Sequence, residues 1–403
     1  MSTFFKRTKH TLCGLVIDIG SGSVSASIVL SERKKKLPEI LYTDAAHMPI
    51  ARDATPAEQA CFVRQALFLA LRMIERQEMH TMSARGEQPR IGHILVCCSA
   101  PWSHTVTQMI HFEQDTPFVV TPRLITDIIQ HADETTGAHS GGRTSAPAQD
   151  DQHIIEKTII DVTLNGYPVR DPYHTEAQEM TLAHLRGLTP THILASLKDV
   201  EEYLHTDRAT RVHTSASVLY CVLRDRYPDI KNALIIDSSG EATEIALMQN
   251  SVWHEAVTVL YGTNSLIRDS AALGNTIPEE ARGHLRTYKQ NILSETQEKI
   301  LTTVQEKYAR LLNTAVSELA TRYVVPQTFF LVLDHTDISQ FLIETIKDAL
   351  RGTGKYTEQQ SILISPEQAR DFATLPRNAA SAPRHALGAY FFHMVHTQSE
   401  VDT

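Results

Sequence analysis

Apolar and polar positions fall into two similar passages along the chain. In the first, Leu15 to Ile19 is apolar except for Asp18, which predicts a strand buried on both faces. Gly20-Ser21-Gly22-Ser23 follows as a tight turn of small residues, and Val24 to Leu30 reads as the returning strand. Pro38 to Ile50 predicts a third strand. Thr55-Pro56-Ala57-Glu58 is a capping box with proline at the first helical position, and it opens a helix expected to reach about His80. Val63, Ala66, Leu67, Ala70, Leu71 and Ile74 give that helix one apolar face. Ile94 to Cys98 is the next buried strand. The second passage repeats the opening: Ala233 to Ile236, Asp237, a small turn at Ser238-Ser239-Gly240, a strand from Glu244 to Met248, then a third strand around Val252-Trp253. Two hairpins with an aspartate at the turn, roughly a domain length apart, predict an internal duplication.

Between and after these passages the pattern changes. His111 to Val120 alternates as strand, and Thr121-Pro122 caps a helix holding Leu124, Ile125, Ile128 and Ile129. Residues 132–152 lack an apolar period and read as a mobile loop. Ile154 to Leu164, and later Leu182 to about His184, resume strand spacing. Lys198 to Leu204 and Ser215 to Tyr227 read as helices. Residues 263–325 are almost continuously helical, with a long helix from Ser294 to Arg322 that Pro326 ends. Phe329 to Leu333 is a buried strand. Ser365-Pro366-Glu367-Gln368 is another capping box, and His385 to Tyr390 lies in a closing helix where Gly388 permits close packing. The expected organisation is α/β: lobe 1 from residues 1–100 and 196–230, a small α+β insertion at 101–195, and lobe 2 from 231–262, a helical part at 263–325, and 326–403.

Composition narrows the class. A chain of 403 residues with 42% hydrophobic and 21% charged content fits a soluble globular protein of two or more domains. A net charge of −9 argues against nucleic acid as the main ligand. Cys13, Cys61, Cys97, Cys98 and Cys221 have no C-x-x-C spacing, which predicts reduced thiols in a cytoplasmic setting. No secretory signal and no apolar run of about 18 residues is visible. Residues 1–10, with Phe4, Phe5, Lys6 and Arg7, form a basic arm suited at most to a peripheral membrane or partner contact. His393 and His396 share a helix face and read as ordinary histidines rather than metal ligands.

The two turns carry the candidate chemistry. Backbone N–H groups and serine hydroxyls in a concave turn suit phosphate oxygens. Asp18 repels phosphate but suits a hydrated Mg²⁺ that bridges to it. The paired hairpins resemble the two phosphate loops of the actin-like ATPase superfamily. Phe4-Phe5-Lys6-Arg7, Pro101-Trp-Ser-His104, Thr116-Pro-Phe-Val-Val-Thr121 and Leu164-Asn-Gly-Tyr-Pro-Val-Arg-Asp-Pro172 are similar to its bacterial branch containing FtsA and PilM. The resemblance implies a duplicated, ribonuclease H-like core with an inserted SHS2-type subdomain at 101–195 that makes protein contacts and self-association. It implies ATP and Mg²⁺ held by Asp18, Ser21, Gly22, Ser23, Asp237, Ser239, Gly240 and Thr243, with Asp18 on the metal through water. Glu280, Arg286, Asp334 and Thr336 are weaker candidates for the adenosine side. The helix at 215–227 offers only Ser215 and Ser217 where related enzymes orient water, so hydrolysis is expected to be slow or absent, and no catalytic residue is assigned. The implied function is an ATP-binding scaffold of the FtsA kind in bacterial cell division, at the inner face of the membrane. The alternatives are a PilM-like role in type IV pilus assembly, a nucleotide-free pseudo-ATPase adaptor and, less favoured, a small-molecule kinase. Its partners would be cell-division or pilus-assembly proteins.

Overall fold

The computed structural model describes residues 11–50, 55–85, 91–136, 152–169, 171–204, 210–333, 336–351, 360–376 and 383–398. The basic arm, most of the expected loop at 132–152, and Asp334 lie outside them.

Lobe 1 is built on β1 (Thr11–Ile19), β2 (Ser23–Glu32), β3 (Glu39–His47), β4 (Ile91–Cys98) and β9 (Thr210–Thr214), in the order β3-β2-β1-β4-β9. Helix α1 (Pro56–Arg85) joins β3 to β4 and runs beyond its expected end. Its capping box forms: Glu58 Oε2 accepts from the Thr55 N–H at 2.8 Å and the Glu58 N–H reaches Thr55 Oγ1 at 3.3 Å. Lobe 2 repeats the plan with β10 (Ala233–Ser238), β11 (Thr243–Gln249), β12 (Val252–Val259), β13 (Thr328–Leu333) and β14 (Gln360–Leu363), in the order β12-β11-β10-β13-β14. In both sheets the first three strands are antiparallel neighbours and the last two run parallel to the first. The sheets are therefore two copies of one topology.

Strand alternation decides what each lobe buries where. Leu15, Ile17 and Ile19 face outward onto α1 and α3 (Thr191–Tyr203). Leu234 and Ile236 face outward onto α5 (Thr263–Gly274), α6 (Pro278–Arg286), α7 (Glu295–Ala320) and α8 (Ser339–Arg351). Val16 on β1, and Ala233 and Ile235 on β10, point inward, onto α4 (Ser215–Arg226) and α9 (Pro383–Gln398). These two helices lie between the sheets, so a single apolar core bridges both lobes. Gly388 lets α9 approach β1, since a methyl there would stand 3.1 Å from Val16 Cγ1. By the same alternation Asp18 and Asp237 point inward.

The expected long helix begins at its Ser294 cap, where a capping box with Gln297 forms. Ser365-Pro366-Glu367-Gln368 also forms its reciprocal bonds, but it starts only a four-residue 3-10 turn. Residues 104–190 make a third sheet from β5 (His104–Val119), β6 (Gln152–Leu164), β7 (Tyr167–Pro168) and β8 (Glu176–Pro190), ordered β5-β8-β6-β7. Helix α2 (Pro122–Thr136) covers one face, burying Ile125 and Ile128 against Ile110, Phe118, Met180 and Leu182. Thr121 caps α2, accepting from the Leu124 N–H at 3.1 Å.

Candidate functional site

The turns that follow β1 and β10 meet at the centre of the molecule. In the first, the Gly20 N–H closes on the Ser23 carbonyl at 3.0 Å, and Trp102 Nε1 donates to the Gly20 carbonyl at 3.0 Å. In the second, the Ser239 N–H closes on the Ala242 carbonyl at 2.9 Å. The turns then bind one another. Ser21 Oγ and Ser239 Oγ are hydrogen bonded at 2.6 Å, and the Glu241 N–H donates to Ser21 Oγ at 2.8 Å. A methyl added to Gly240 would stand 2.5 Å from Gly22 Cα, so the two backbones are in direct contact.

The first turn of α5 is a ready anion-binding end, and its first two donors are taken. The Thr263 N–H reaches the Ser239 carbonyl at 2.9 Å and the Asn264 N–H reaches the Gly240 carbonyl at 2.7 Å. Glu241 turns away from the turn and receives a bidentate Arg268 guanidinium at 2.6 and 2.5 Å. Ser23 opens β2, half-buried and paired with His47 of β3. Thr243 faces into lobe 2: its hydroxyl donates to the Tyr261 carbonyl at 2.9 Å and lies 2.5 Å from Tyr308 Oη. That hydroxyl is spent inside the lobe and does not join the turn-to-turn contact.

Beneath the turns, the inward aspartates meet α4 and α9. Arg384, in the first turn of α9, donates Nη1 to Asp237 Oδ2 at 3.1 Å and to Ser99 Oγ at 3.0 Å, while its Nη2 bonds Asp237 Oδ1. Both side chains of the pair are buried, 5% and 3% exposed, so neither charge is offset by solvent. Ser99 also donates to Ser215 Oγ at 2.9 Å, and Ser215 reaches Asp18 Oδ1 at 3.5 Å. Ser215 thus ties the start of α4 to Asp18. The cavity beside Asp18, lined by Cys97, Ser215, Arg384 and Gly388 among others, measures about 20 Å³, room for one water.

Glu244 lies opposite Asp237 across the β10–β11 pair and points the same way. It is 2% exposed, and its Oε1 has no hydrogen-bond partner. Burial pushes its carboxyl up to about 8, the Asp237 charge pushes in the same direction, and Arg384 only partly opposes them.

The weaker adenosine-side candidates lie elsewhere. Arg286 lines a shallow cleft of about 370 Å³ with Glu279, Arg282, Gly283 and Asp337, where Arg282 grips Asp337 at 3.0 and 2.9 Å. Glu280 is exposed on α6, near His284. Thr336 begins a short 3-10 turn after β13. None of the turn residues lines that cleft. A second cleft, of about 390 Å³, opens between the lobes above the turns, with Ser21, Phe62 and Trp102 on one side and Glu241, Arg268 and Lys307 on the other. Among the described residues no cluster of histidine, cysteine, aspartate and glutamate is arranged to hold a metal, and His393 and His396 both bond Ser31 Oγ through Nδ1.

ATP and Mg²⁺, which the resemblance implies, are tested by this geometry. As the lobes stand, turn-to-turn contact fills the gap where phosphates would lie, and an arginine takes the inward aspartate of lobe 2. These residues do not fit a polyphosphate between them in this arrangement. Arg384, Ser99 and Glu244 are the members of the site that sequence reasoning missed. The available signal was a cation at Pro383-Arg384 opening an otherwise apolar helix.

No protein-family model matches the chain, and no curated protein matches its sequence. Solved structures do match. A chain of a PilM-PilN type IV pilus biogenesis complex superposes with a TM-score of 0.60 at 10% identity, covering 96% of this chain and 98% of its own. A ROK family glucokinase from Streptomyces griseus, in complex with glucose and AMPPNP, gives 0.42 at 11% identity, covering 94% and 98%. A protein of unknown function from Bacteroides thetaiotaomicron, described as having an actin-like ATPase fold, gives 0.39 at 9%, covering 96% and 98%. The last two likenesses are too distant to carry an argument about this chain. Together with the duplicated sheets, the first of these defines its class: a mixed α/β protein of two similar five-stranded lobes that shares the fold of that pilus-complex chain over nearly its whole length.

Proposed function

We propose that this protein is a non-catalytic actin-like scaffold that works by holding protein partners, in machinery of the pilus-assembly kind. The observation that carries this reading is the likeness, over nearly the whole of both chains, to the PilM-PilN complex component. The site chemistry supports it. Phosphoryl transfer needs a base or water-orienting group, and α4 presents only the hydroxyls of Ser215 and Ser217 there. Ser217 is already bound to Glu156 at 2.7 Å. The insertion is compatible with it: a four-stranded sheet with α2 on one face is a compact α+β unit of the kind the resemblance gives a contact role. In this reading residues 104–190 carry the partner-binding surface and the protein works on the cytoplasmic side of the membrane. Among the described residues no helix is long and apolar enough to cross a membrane.

The test is calorimetric titration with the PilN-type protein of the same organism, with hydrogen exchange mapping the footprint. Saturable binding that protects residues 104–190 is the expected result. Absence of binding sinks the pilus setting. Cell division is the second setting, which the sequence resemblance to the FtsA and PilM branch leaves open. Its signature is co-sedimentation as a polymer, or capture by the division machinery, without PilN-type binding.

A further inference from the structure

The interlobe centre carries more than the scaffold reading uses. Two carboxylates, Asp18 and Asp237, point into it from opposite lobes, with Glu244 beside Asp237. Asp18 is partly buried and Asp237 is 4% exposed, and burying a charge like that of Asp237 without a counter-charge costs several kcal/mol. A protein that closes around a nucleotide solves this with a bound cation and fills the gap with phosphate. Here the chain supplies both elements itself. Arg384 lays its guanidinium on Asp237 of lobe 2 and on Ser99 at the end of β4 in lobe 1, so one side chain from α9 joins the two lobes. The fork geometry of arginine makes this a directed clamp rather than a diffuse charge.

The turns above complete the seal. Ser21 and the Glu241 N–H, groups suited to phosphate oxygens, bind across the gap. The first two N–H groups of α5, of Thr263 and Asn264, are spent on the carbonyls of Ser239 and Gly240. The remaining space beside Asp18 holds a single water. The basic side chains of the cleft above the turns are paired as well, Arg268 with Glu241 and Lys307 with Asp269.

We infer that lobe closure in this protein is independent of nucleotide: Arg384 replaces the bridging cation, and the Ser21–Ser239–Glu241 contact replaces the phosphates. The closed scaffold is the resting state, set by the sequence rather than by ligand. This inference does not depend on which partner binds, because nucleotide titration and partner titration are separate measurements.

The experiment has two arms on the full chain. In the first, Mg-ATP is titrated into the wild-type protein to millimolar concentration, and amide exchange at residues 20–22 and 239–242 is followed with and without it. No binding heat and unchanged, slow exchange is the expected result. Binding tighter than about 100 µM that Asp18→Ala abolishes, or protection that rises with Mg-ATP, overturns the inference. In the second arm, Arg384→Met is expected to speed exchange at both turns at least tenfold while β13 stays protected. Unchanged exchange at the turns overturns the inference. Should Arg384→Met fail to fold, the double variant Arg384→Gln with Asp237→Asn keeps the buried centre neutral, and the same tenfold criterion applies to it.

Discussion

Adding one methyl group at Gly240 probes the contact between the lobes directly. The new Cβ would stand 2.5 Å from Gly22 Cα, 2.7 Å from Gly22 N and 2.7 Å from Asn264 Nδ2. Carbon atoms settle near 3.5–4.0 Å, so the turns must part by about 1 Å. Asn264 is only 2% exposed and has little room to yield, and the Gly22 atoms are backbone. A shift of that size carries the 2.6 Å Ser21–Ser239 bond and the 2.8 Å Glu241–Ser21 bond past hydrogen-bonding range. Each lost bond costs roughly 0.5–1.5 kcal/mol, and overpacking adds roughly 1–3. Gly240→Ala should therefore destabilise by about 2–6 kcal/mol. Gly240 does not lie in the left-handed region, so the methyl acts through contact alone. Gly283, on α6 with no atom within 4 Å of an added Cβ, is the control, and Gly283→Ala should be neutral or up to about 1 kcal/mol stabilising. Urea unfolding read as the shift in midpoint at constant slope measures both. If the two variants agree within about 0.5 kcal/mol, the turns do not touch as described and the account of the sealed centre fails.

Other perturbations probe the buried carboxyls. Glu244 is held protonated up to about 8 in the folded protein, whereas unfolding returns it to the ordinary 4.5. Between those values the native state binds the extra proton, so its contribution makes stability fall as pH rises, by up to about 1.4 kcal/mol per unit. Glu244→Gln should remove that slope and gain most near pH 8; a wild-type-to-variant difference that does not vary from pH 5 to 8 refutes this. Glu156 of β6 anchors the insertion to the start of α4, accepting from the Thr214 N–H at 3.0 Å, Thr214 Oγ1 at 2.9 Å and Ser217 Oγ at 2.7 Å, with His213 Nδ1 at 2.5 Å. Burial pushes its carboxyl up, but His213, Ser217 and Thr214 prevail and hold it below its ordinary value. Its stabilisation is thus present above about 4.5 and lost as pH falls through the lowered value. Glu156→Gln should cost about 1.5–3 kcal/mol at pH 7 and progressively less below pH 4.5, and an equal deficit at pH 7 and pH 3 argues against the charge as its source.

Much of the architecture is written locally. The continuous apolar runs Leu15 to Ile19, broken only by Asp18, and Ala233 to Ile236 mark buried strands, and the aspartate followed by small residues marks the turns, because a strand and its turn are short-range objects. The Thr55 and Thr121 caps are likewise read from close neighbours in the chain, whereas the Ser294 capping box is seen only in the structure. Strand β9 escaped this reading: Thr210-Arg-Val-His-Thr214 is short, mostly polar and only partly buried, and β4 alone gives it a sheet to join. Strand β14 is four residues long and owes its place to β13 in the same way.

The sequence by itself determined the duplicated strand pattern and put an aspartate at the inward end of each leading strand. Only the tertiary structure decided what those aspartates meet. Arg384 is 147 residues from Asp237 and 285 from Ser99, and Ser21 is 218 from Ser239, so no local pattern reports these contacts. Thr243 shows the same limit in reverse: its position beside a small turn reads as a ligand-facing hydroxyl, but the strand's pleat turns it onto Tyr308 inside lobe 2. The physical reason is common to both. Periodicity fixes which face of an element is apolar, whereas the partner of a buried charge is chosen when distant elements are brought together, and burial makes that choice costly to leave unmade.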